Sequence, residues 1–304
     1  EVGPGEGVLT ELLLQKAGLR HTEAGSGLAK AGKVVAVEKD DRLIPVLEQK
    51  FTTEIASGKL ELIHADILEI DLRLKIKDLR NYKVVANLPY YITGQFLRKF
   101  LQGTDSLPET MVLLLQKEVA RRIVAQDKKE SILSISVKAY GTPKYIGTVK
   151  AGAFSPPPNV DSAIIAIEGI SKGFFKDSAS YSSFVKGGVP SLRGTEDLSP
   201  LEKGVPESAR AGVVKPLPRT DAPFETPLLH KNAVLPLLGE IGRIREKEFF
   251  TLLKKGFAHP RKLLSSNLGI PAEKLRECGI AEKARPENLS LENWKCLSVS
   301  LTDS

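Results

Sequence analysis

The most constraining feature of this 304-residue chain is an alternation of short apolar runs with helical stretches through its first half. Apolar runs of this kind are typical of strands buried on both faces, as in a parallel sheet covered by helices. We predict strands at Lys33–Glu38, Lys59–Asp66, Tyr82–Asn87 and Thr110–Gln116, and helices at Val8–Ala17, Asp41–Phe51, Thr93–Leu101 and Lys117–Ala125. This order predicts an α/β fold with a doubly wound sheet, whose ligands bind at the carboxyl ends of the strands.

The rest of the chain divides by composition. Two more strands are predicted, Tyr145–Phe154 and Val160–Glu168, joined by a proline-stiffened loop. From residue 171 to 239 the chain is rich in Gly, Pro and Ser and shows no sustained hydrophobic period, which argues against a compact core there. We therefore predict a Rossmann-like domain over residues 1–168, a poorly ordered insertion or linker over 169–240, and a small basic helical domain over 241–304.

Charge and cysteine content narrow the class of protein. The net charge of +7 favours a polyanionic partner such as RNA, although an ordinary basic enzyme explains it equally well. No apolar run is long enough to predict a membrane-spanning helix. The two cysteines, Cys278 and Cys296, are too few to staple the fold or hold a metal, and we expect reduced thiols in the cytoplasm and no metal site.

Three predicted strand ends carry groups suited to a nucleoside cofactor. Gly3 and Gly5 let backbone N–H groups approach a ligand, Glu38 is placed to accept ribose hydroxyls, and Asp66 to accept an adenine amino group. Each signal alone is weak, since turns and surface carboxylates are common. The sequence lacks the third glycine of the dinucleotide fingerprint and a phosphate-binding cation, which favours S-adenosylmethionine over NAD or ATP.

The predicted strand Tyr82–Asn87 ends at Asn87, and Leu88, Pro89 and Tyr90 follow it directly. An Asn oxygen and a neighbouring carbonyl can draw the lone pair of an adenine N6 amine out of the ring, and proline fixes the turn that holds them. The Tyr ring offers a stacking face, and Phe154 on the proline loop offers a second one for an extruded base. The alternatives are a buried turn with a capping Asn and an aromatic residue that only packs.

Together these segments resemble the KsgA-type ribosomal RNA adenine dimethyltransferases, relatives of the Erm resistance methyltransferases. The resemblance is carried, in family order, by EVGPGEGVLT, VVAVEKD, HADIL, VVANLPYYIT, LLLQKEVARRIVA, AFSPPPNVDSA and GFAHPRKLLSSNL. It implies that Gly3, Glu38, Asp66 and Asn87 contact S-adenosylmethionine, that Asn87 to Tyr90 hold the target adenine, and that Phe154 stacks on it. It also places a set of basic residues against RNA: Lys117, Arg121, Arg122, Lys254, Lys255, Arg261 and Lys262.

The function implied by the resemblance is dimethylation of adenine N6 on two adjacent adenosines in the 3′-terminal hairpin of small-subunit ribosomal RNA. The partner would be a 30S assembly intermediate, met in the cytoplasm by a monomeric enzyme. Two alternatives stay open: an Erm-like enzyme acting on 23S RNA, and a ribosome-assembly factor that binds RNA without catalysis.

Two departures from the family pattern matter. Family members begin some tens of residues before the segment that starts at Glu1, and that part carries most of the first, central strand. We therefore expect a chain starting at Glu1 to be unstable or weak in cofactor binding, because two strands would lack ladder partners. The second departure is the segment from residue 171 to 239, which the family does not usually carry.

Overall fold

The sheet holds six strands in the part of the chain that a computed structural model describes, residues 1–18, 32–76, 81–176 and 246–302. Four of the strands match predicted apolar runs, and the last two form a strand pair later in the chain. The strands are β1 Val34–Glu38, β2 Leu60–His64, β3 Lys83–Asn87, β4 Thr110–Gln116, β5 Thr142–Val149 and β6 Ser162–Glu168.

The strands form two ladders, β2-β1 and β3-β4-β6-β5. β1 pairs with β2 and β3 with β4 in parallel, whereas β6 runs antiparallel to both β4 and β5. Val2 lies between the two ladders, where it bridges Val37 of β1 and Ala86 of β3. Its N–H donates to the Val85 carbonyl at 3.1 Å. The carboxyl ends of these neighbouring parallel segments therefore meet at one edge.

The four helices predicted in the first half of the chain are present close to their predicted bounds, and the described ranges hold four further helices there that were not predicted. They are α1 Val8–Gly18, α2 Ile44–Lys50, α3 Thr52–Ala56, α4 Leu72–Lys75, α5 Thr93–Leu101, α6 Lys117–Val124, α7 Ile132–Lys138 and α8 Gly173–Lys176. In the last described range α9 covers residues 246–256, followed by α10 Leu264–Leu268, α11 Ala272–Glu277 and α12 Leu291–Thr302.

One predicted strand is displaced, and the helices α3, α4, α7 and α8 correspond to no predicted helix. β5 spans Thr142–Val149 instead of Tyr145–Phe154, because it is an edge strand that tolerates Pro143 and has a register shift between Tyr145 and Gly147. The helix Ile132–Lys138 was not predicted. It begins at a capping box in which the Ser131 side chain accepts from the Ser134 N–H, and serine at both positions is a weak signal in sequence.

The C-terminal helices share one hydrophobic core with the sheet, where the sequence predicted a small helical domain of its own. The described residues up to 176 and those from 246 to 302 form one compact unit. Its aromatic cluster joins Tyr140 after α7, Phe175 of α8 and Phe249 and Phe250 of α9, with ring centroids 5.2–6.1 Å apart. The apolar faces of these helices therefore bury each other.

The same cluster corrects the start of the predicted insertion. Residues 169–176 were assigned to it, yet Ile170 and Phe175 are buried and α8 packs on α9. The Gly-Phe-Phe sequence has enough apolar surface to join the core, and its position after β6 brings it there. The remainder of that predicted segment, residues 177–240, lies outside the described residues.

The cysteine prediction was wrong. Cys278, just after α11, and Cys296 on α12 form a disulfide, with their Cα atoms 5.7 Å apart. The two cysteines are 18 positions apart in sequence, and the chain between them folds back so that the end of α11 lies against α12, a proximity that a count of cysteines cannot reveal. The structure therefore gives no support to the expectation of two reduced thiols.

The described ranges contain no helix that is both long and apolar enough to cross a membrane. Within the same ranges no group of three or more His, Cys, Asp or Glu side chains is placed to hold a metal ion.

Candidate active site

The predicted cofactor residues lie along one edge of the sheet. Val2 pairs with both Val37 and Ala86, so Gly3, Glu38 and Asn87 sit side by side at three adjacent strand ends. Glu38 is opposite His64 at the end of β2, and Asp66 follows two residues later. The structure thus brings together four side-chain or backbone groups that are up to 84 residues apart in sequence. This is the edge at which α/β sheets bind ligands.

The glycine-rich turn folds back toward Glu38. Gly3, Gly5 and Gly7 all have positive φ, between 58° and 81°, which side-chain-bearing residues rarely adopt. The Gly5 N–H donates to Glu38 Oε2 at 3.2 Å. At Gly7 a Cβ atom would lie 2.5 Å from the Phe51 ring, so this glycine, which was not singled out from the sequence, is required by packing.

Glu38 is almost fully buried, and its carboxylate is fixed by backbone groups. Oε1 accepts from the N–H groups of Lys39 at 2.8 Å and Asp40 at 2.9 Å, in addition to the Gly5 contact of Oε2. A carboxylate offers about four lone-pair sites, so these three bonds leave capacity for one further donor. The buried, oriented carboxylate therefore fits a ligand hydroxyl at the end of β1.

Asp66 has a partner that the sequence analysis missed. Its Oδ2 accepts from Lys39 Nζ at 2.7 Å and its Oδ1 from the Leu68 N–H at 2.8 Å. The Lys39 ammonium first, and the Leu68 N–H second, hold the pKa of Asp66 below its usual range. Lys39 stands directly after Glu38 and its side chain is 72% exposed, so any ligand group that approaches Asp66 meets this lysine as a neighbour.

The Asn87–Tyr90 turn presents some of its groups and buries others. The Asn87 side chain is exposed at the end of β3, and within the described residues no group bonds to its amide. The Leu88 side chain is only 2% exposed, so its predicted contact with an adenine is restricted to its backbone. Pro89 is exposed, with φ −54°, and leads into a 3-10 turn at Tyr90–Ile92.

The Tyr90 ring is half-buried, and its hydroxyl is 2.9 Å from Ser162 Oγ at the start of β6. Phe154 follows the 3-10 turn Ala151–Ala153 at the other end of the β5–β6 connection and is also half-buried. Both rings therefore belong to segments tied to β6. The hydroxyl pair was not foreseen, because Ser162 carries no pattern that distinguishes it from other strand serines.

The predicted RNA-contacting residues are spread over three segments. Lys117 begins α6 and lies 3.4 Å from Asp161, and Arg122 on the same helix pairs with Glu118 at 2.8 Å. The other predicted cations are exposed, and within the described residues none of them pairs with a carboxylate: Arg121 on α6, Lys254 and Lys255 on α9, and Arg261 and Lys262 after α9. Unpaired exposed cations are available to phosphate groups.

Several curated proteins are similar to the chain over all or part of its length. "Ribosomal RNA small subunit methyltransferase A" of Dehalococcoides mccartyi is 32% identical over 312 residues, covering 100% of the chain and 78% of the relative. The protein of the same name from Geobacter metallireducens is 37% identical, covering 99% and 84%. A second Dehalococcoides mccartyi strain has one that is 44% identical over 185 residues, where the match covers 58% of the chain and 57% of the relative.

Two solved structures share the fold at low sequence identity. A dimethyladenosine transferase from Plasmodium falciparum matches with a TM-score of 0.62 at 19% identity, covering 99% of the chain and 88% of that structure. The 23S rRNA methyltransferase ErmE matches with a TM-score of 0.59 at 17% identity, covering 99% and 89%. These matches confirm the predicted α/β methyltransferase fold.

The family predicted from the strand-end motifs is also confirmed. The model of the family described as "Ribosomal RNA adenine dimethylase" matches residues 1–189, which hold the glycine turn, all six strands and the Asn87–Tyr90 turn. The chain belongs to the ribosomal RNA adenine dimethylase family.

Proposed function

We propose that this protein transfers methyl groups from S-adenosylmethionine to N6 of adenine in small-subunit ribosomal RNA, twice at each target adenosine. The observation that carries the proposal is the exposed Asn87 amide, unbonded within the described residues, at the sheet edge shared with Gly3 and Glu38. An amide held there by a buried Leu88 and a fixed proline turn is placed for a ligand, since no side chain or backbone group of the described residues bonds to it.

The residues around this edge fit an adenosyl cofactor. Glu38 would accept from a ribose hydroxyl with its remaining lone pair, Asp66 would face the adenine amino group, and the N–H groups of the glycine turn would approach from Gly3 and Gly5. Asn87 closes the site toward the second substrate. When bound, S-adenosylmethionine would supply a methyl group from its sulfonium centre: the sulfur becomes a neutral thioether, and N6 gains the methyl group and loses one proton.

The target adenine would be held by the turn that follows β3. The Asn87 side-chain oxygen and a backbone carbonyl of the turn accept from the N6 hydrogens, so the nitrogen lone pair is less delocalised into the ring and points out of it. Tyr90 and Phe154 would stack on the two faces of the extruded base. Alignment does most of the work, because a sulfonium leaving group needs no strong base.

The RNA around the target would lie on the exposed cations of α6, of α9 and of the segment after α9. These residues neutralise phosphates, so they set affinity and orientation without selecting a sequence. We infer further that the RNA is presented by an assembling 30S particle and that a single copy of the chain acts on it in the cytoplasm. The names of the full-length relatives support the small-subunit substrate.

The proposal is tested by transfer of labelled methyl groups to 30S particles from cells that lack the modification. Wild type and Asn87→Ala are compared, with naked 23S RNA as a second substrate and thermal unfolding as a control for folding. We expect N6-dimethyladenosine from 30S particles with wild type and its loss in the variant. Label on 23S RNA alone would favour an Erm-like enzyme, and 30S binding without label would favour an assembly factor.

A further inference from the structure

We infer that Ser162 is a positioning residue that orients Tyr90 against the target adenine, and that its neighbour Asp161 positions the Phe154 segment. The inference rests on the proposed function, since it assigns these residues to the two faces of the same base-binding cleft. Neither residue contacts the base in this proposal. Each acts through one of the two aromatic rings.

Ser162 is a buried polar residue whose backbone is paired with a strand on each side. It begins β6 between two other strands, paired with Gln116 of β4 and Val149 of β5, and its side chain is 1% exposed. A hydroxyl buried at such a position needs a partner. Its side-chain partner is the Tyr90 hydroxyl at 2.9 Å, which comes from a segment 72 residues earlier.

This bond fixes the second end of the Tyr90 side chain. The first end is fixed by the backbone, where buried Thr93 donates its hydroxyl to the Tyr90 carbonyl at 3.2 Å. The ring between these two ends is half-buried, so one part of it stays accessible. A ring held at both ends presents a stacking face of fixed orientation, whereas a ring held only at its backbone can rotate.

Asp161 ties the opposite segment to the same strand. Its Oδ1 accepts from the Ala151 N–H at 3.2 Å, and its Oδ2 accepts from Lys150 Nζ at 3.1 Å and Lys117 Nζ at 3.4 Å. Ala151 is the first residue of the short turn before Phe154, and the Ala151 carbonyl accepts a hydrogen bond from the Phe154 N–H at 3.2 Å. The position of Phe154 therefore depends on the Asp161 carboxylate through this turn.

Two adjacent residues thus connect both rings to the start of β6. Ser162 holds Tyr90 and Asp161 holds the turn before Phe154, so the spacing of the cleft is set by one rigid strand end. This matters for a double methylation, because the second transfer acts on a bulkier, monomethylated amine in the same cleft. Loss of either tie should therefore impair the second transfer more than the first.

The test is a double-mutant cycle on methyl transfer to 30S particles. Ser162→Ala and Tyr90→Phe each remove the hydrogen bond between the two hydroxyls, the first at its buried end and the second at its accessible end. Ser162→Thr keeps a hydroxyl at the buried end. We expect each single variant to lower kcat about tenfold with little change in KM for RNA, and the double variant to lose no more than either single one. Ser162→Thr should recover most of the activity.

The product ratio separates positioning from a general loss of folded protein. We expect both single variants to release a larger fraction of N6-monomethyladenosine, whereas partial unfolding would lower both products in proportion. Should Ser162→Ala fail to fold in a thermal melt, Tyr90→Phe alone still tests the bond. Full activity and an unchanged product ratio in Tyr90→Phe, or losses that multiply in the double variant, would overturn the role of Ser162.

The same design applies to Asp161. Asp161→Ala should raise the monomethylated fraction, Asp161→Asn should raise it less because an amide oxygen still accepts from the Ala151 N–H, and neither should add to the effect of Phe154→Ala. Additive losses would overturn the role of Asp161. A wild-type chain that forms no methyladenosine would instead reject the proposed function, and the positioning roles with it.

Discussion

At the scale of single residues, the sheet edge is organised by carboxylates whose partners are backbone N–H groups. Glu38 accepts three such bonds and is the only one of the two strand-end acids that is deeply buried, at 7% exposure. Asp66 shares its charge with an exposed lysine instead. The two carboxylates therefore differ in role: Glu38 fixes the glycine turn, and Asp66 can exchange its partner Lys39.

Replacement of Glu38 should weaken cofactor binding more than it destabilises the sheet edge around Glu38. We expect Glu38→Gln to raise the Kd for S-adenosylhomocysteine about 10- to 100-fold, since hydrogen bonds to a charged group contribute roughly 1.5–3 kcal/mol. Isothermal titration calorimetry measures the change. Glu61→Gln is the matched control, because Glu61 lies on β2 and pairs with an exposed Lys33 away from the strand ends. Equal Kd values for both variants would contradict the assignment.

Asp66 should titrate differently without Lys39. Its pKa is lowered in the folded chain, so its contribution to stability is present above the unfolded pKa, about 4, and is lost as pH falls through the folded value. We expect Lys39→Ala to bring the Asp66 pKa back toward that ordinary value. The free energy of unfolding should then fall less steeply with pH below about pH 4. Carbon-detected NMR titration follows the carboxyl group directly, with Lys33→Ala as control. An unchanged Asp66 pKa in Lys39→Ala would refute the pairing.

At the scale of elements, the turn between Val2 and α1 is held by a glycine for steric reasons. Gly7 has φ +81°, and an added Cβ would lie 2.5 Å from the Phe51 ring and 3.0 Å from Leu47. Both neighbours belong to the small cluster that packs α2 against β1 and β2. A side chain at this position must therefore displace buried groups as well as adopt a strained backbone.

Gly7→Ala should consequently destabilise the chain more than a glycine replacement that meets only backbone strain. We expect a loss of roughly 2–5 kcal/mol in the free energy of unfolding, the sum of a left-handed residue and overpacking. Gly58→Ala is the control, with φ +72° and nothing within 4 Å of the added Cβ, and should cost about 1–2 kcal/mol. Urea unfolding followed by circular dichroism compares them. Equal losses would show that packing around Phe51 relaxes.

At the scale of the whole molecule, the C-terminal helices pack on the sheet within one hydrophobic core. Buried Tyr140 donates its hydroxyl to Glu246 Oε1 at 2.6 Å, and Lys172 lies 3.5 Å from the other carboxylate oxygen. Burial first, and Glu246 second, raise the pKa of Tyr140 far above its usual range. A polar contact this deep connects the segment after α7 to the first turn of α9.

Removal of that hydroxyl should destabilise the whole chain. We expect Tyr140→Phe to lower the free energy of unfolding by roughly 1.5–3 kcal/mol, because a buried carboxylate loses its neutral donor. Tyr145→Phe is the control, because the Tyr145 hydroxyl bonds to Thr148 on an exposed surface. This variant should change the free energy of unfolding by no more than about 0.5 kcal/mol. Fluorescence of the single, buried Trp294 on α12 and far-ultraviolet circular dichroism should give coincident transitions. Two separate unfolding transitions would indicate that the C-terminal helices fold as a domain of their own.

Affinity for 30S particles should depend on salt through the exposed cations after and on α9. We expect the combined replacement of Arg261 and Lys262 by Ala to reduce the slope of log K against log salt by about 0.7–0.9 for each phosphate that is no longer neutralised. Lys274→Ala is the control, because Lys274 on α11 lies 3.4 Å from Glu277 and carries a paired charge. A slope that is the same in all three proteins would place the RNA elsewhere.

Prediction from sequence was accurate where a signal is local. β4 and α5 begin and end at the predicted residues, and Glu38 and Asn87 end their strands as predicted. Residues 132–138 escaped prediction because their apolar and serine positions fit no strong helical period, and β5 shifted because its edge position tolerates a proline. At the candidate site, sequence identified the strand-end groups but not Lys39 as the partner of Asp66, nor Ser162 as the partner of Tyr90.

The sequence by itself determined the α/β alternation, the order of the strand-end groups and the family, because each depends on residues close together in the chain. Tertiary structure alone decided what joins distant segments: the Tyr90–Ser162 bond, the Tyr140–Glu246 bond, the Cys278–Cys296 disulfide and the common core of sheet and C-terminal helices. These contacts span up to 106 residues. Such pairs form only because the sheet and helices place their ends together, and no local pattern records that placement.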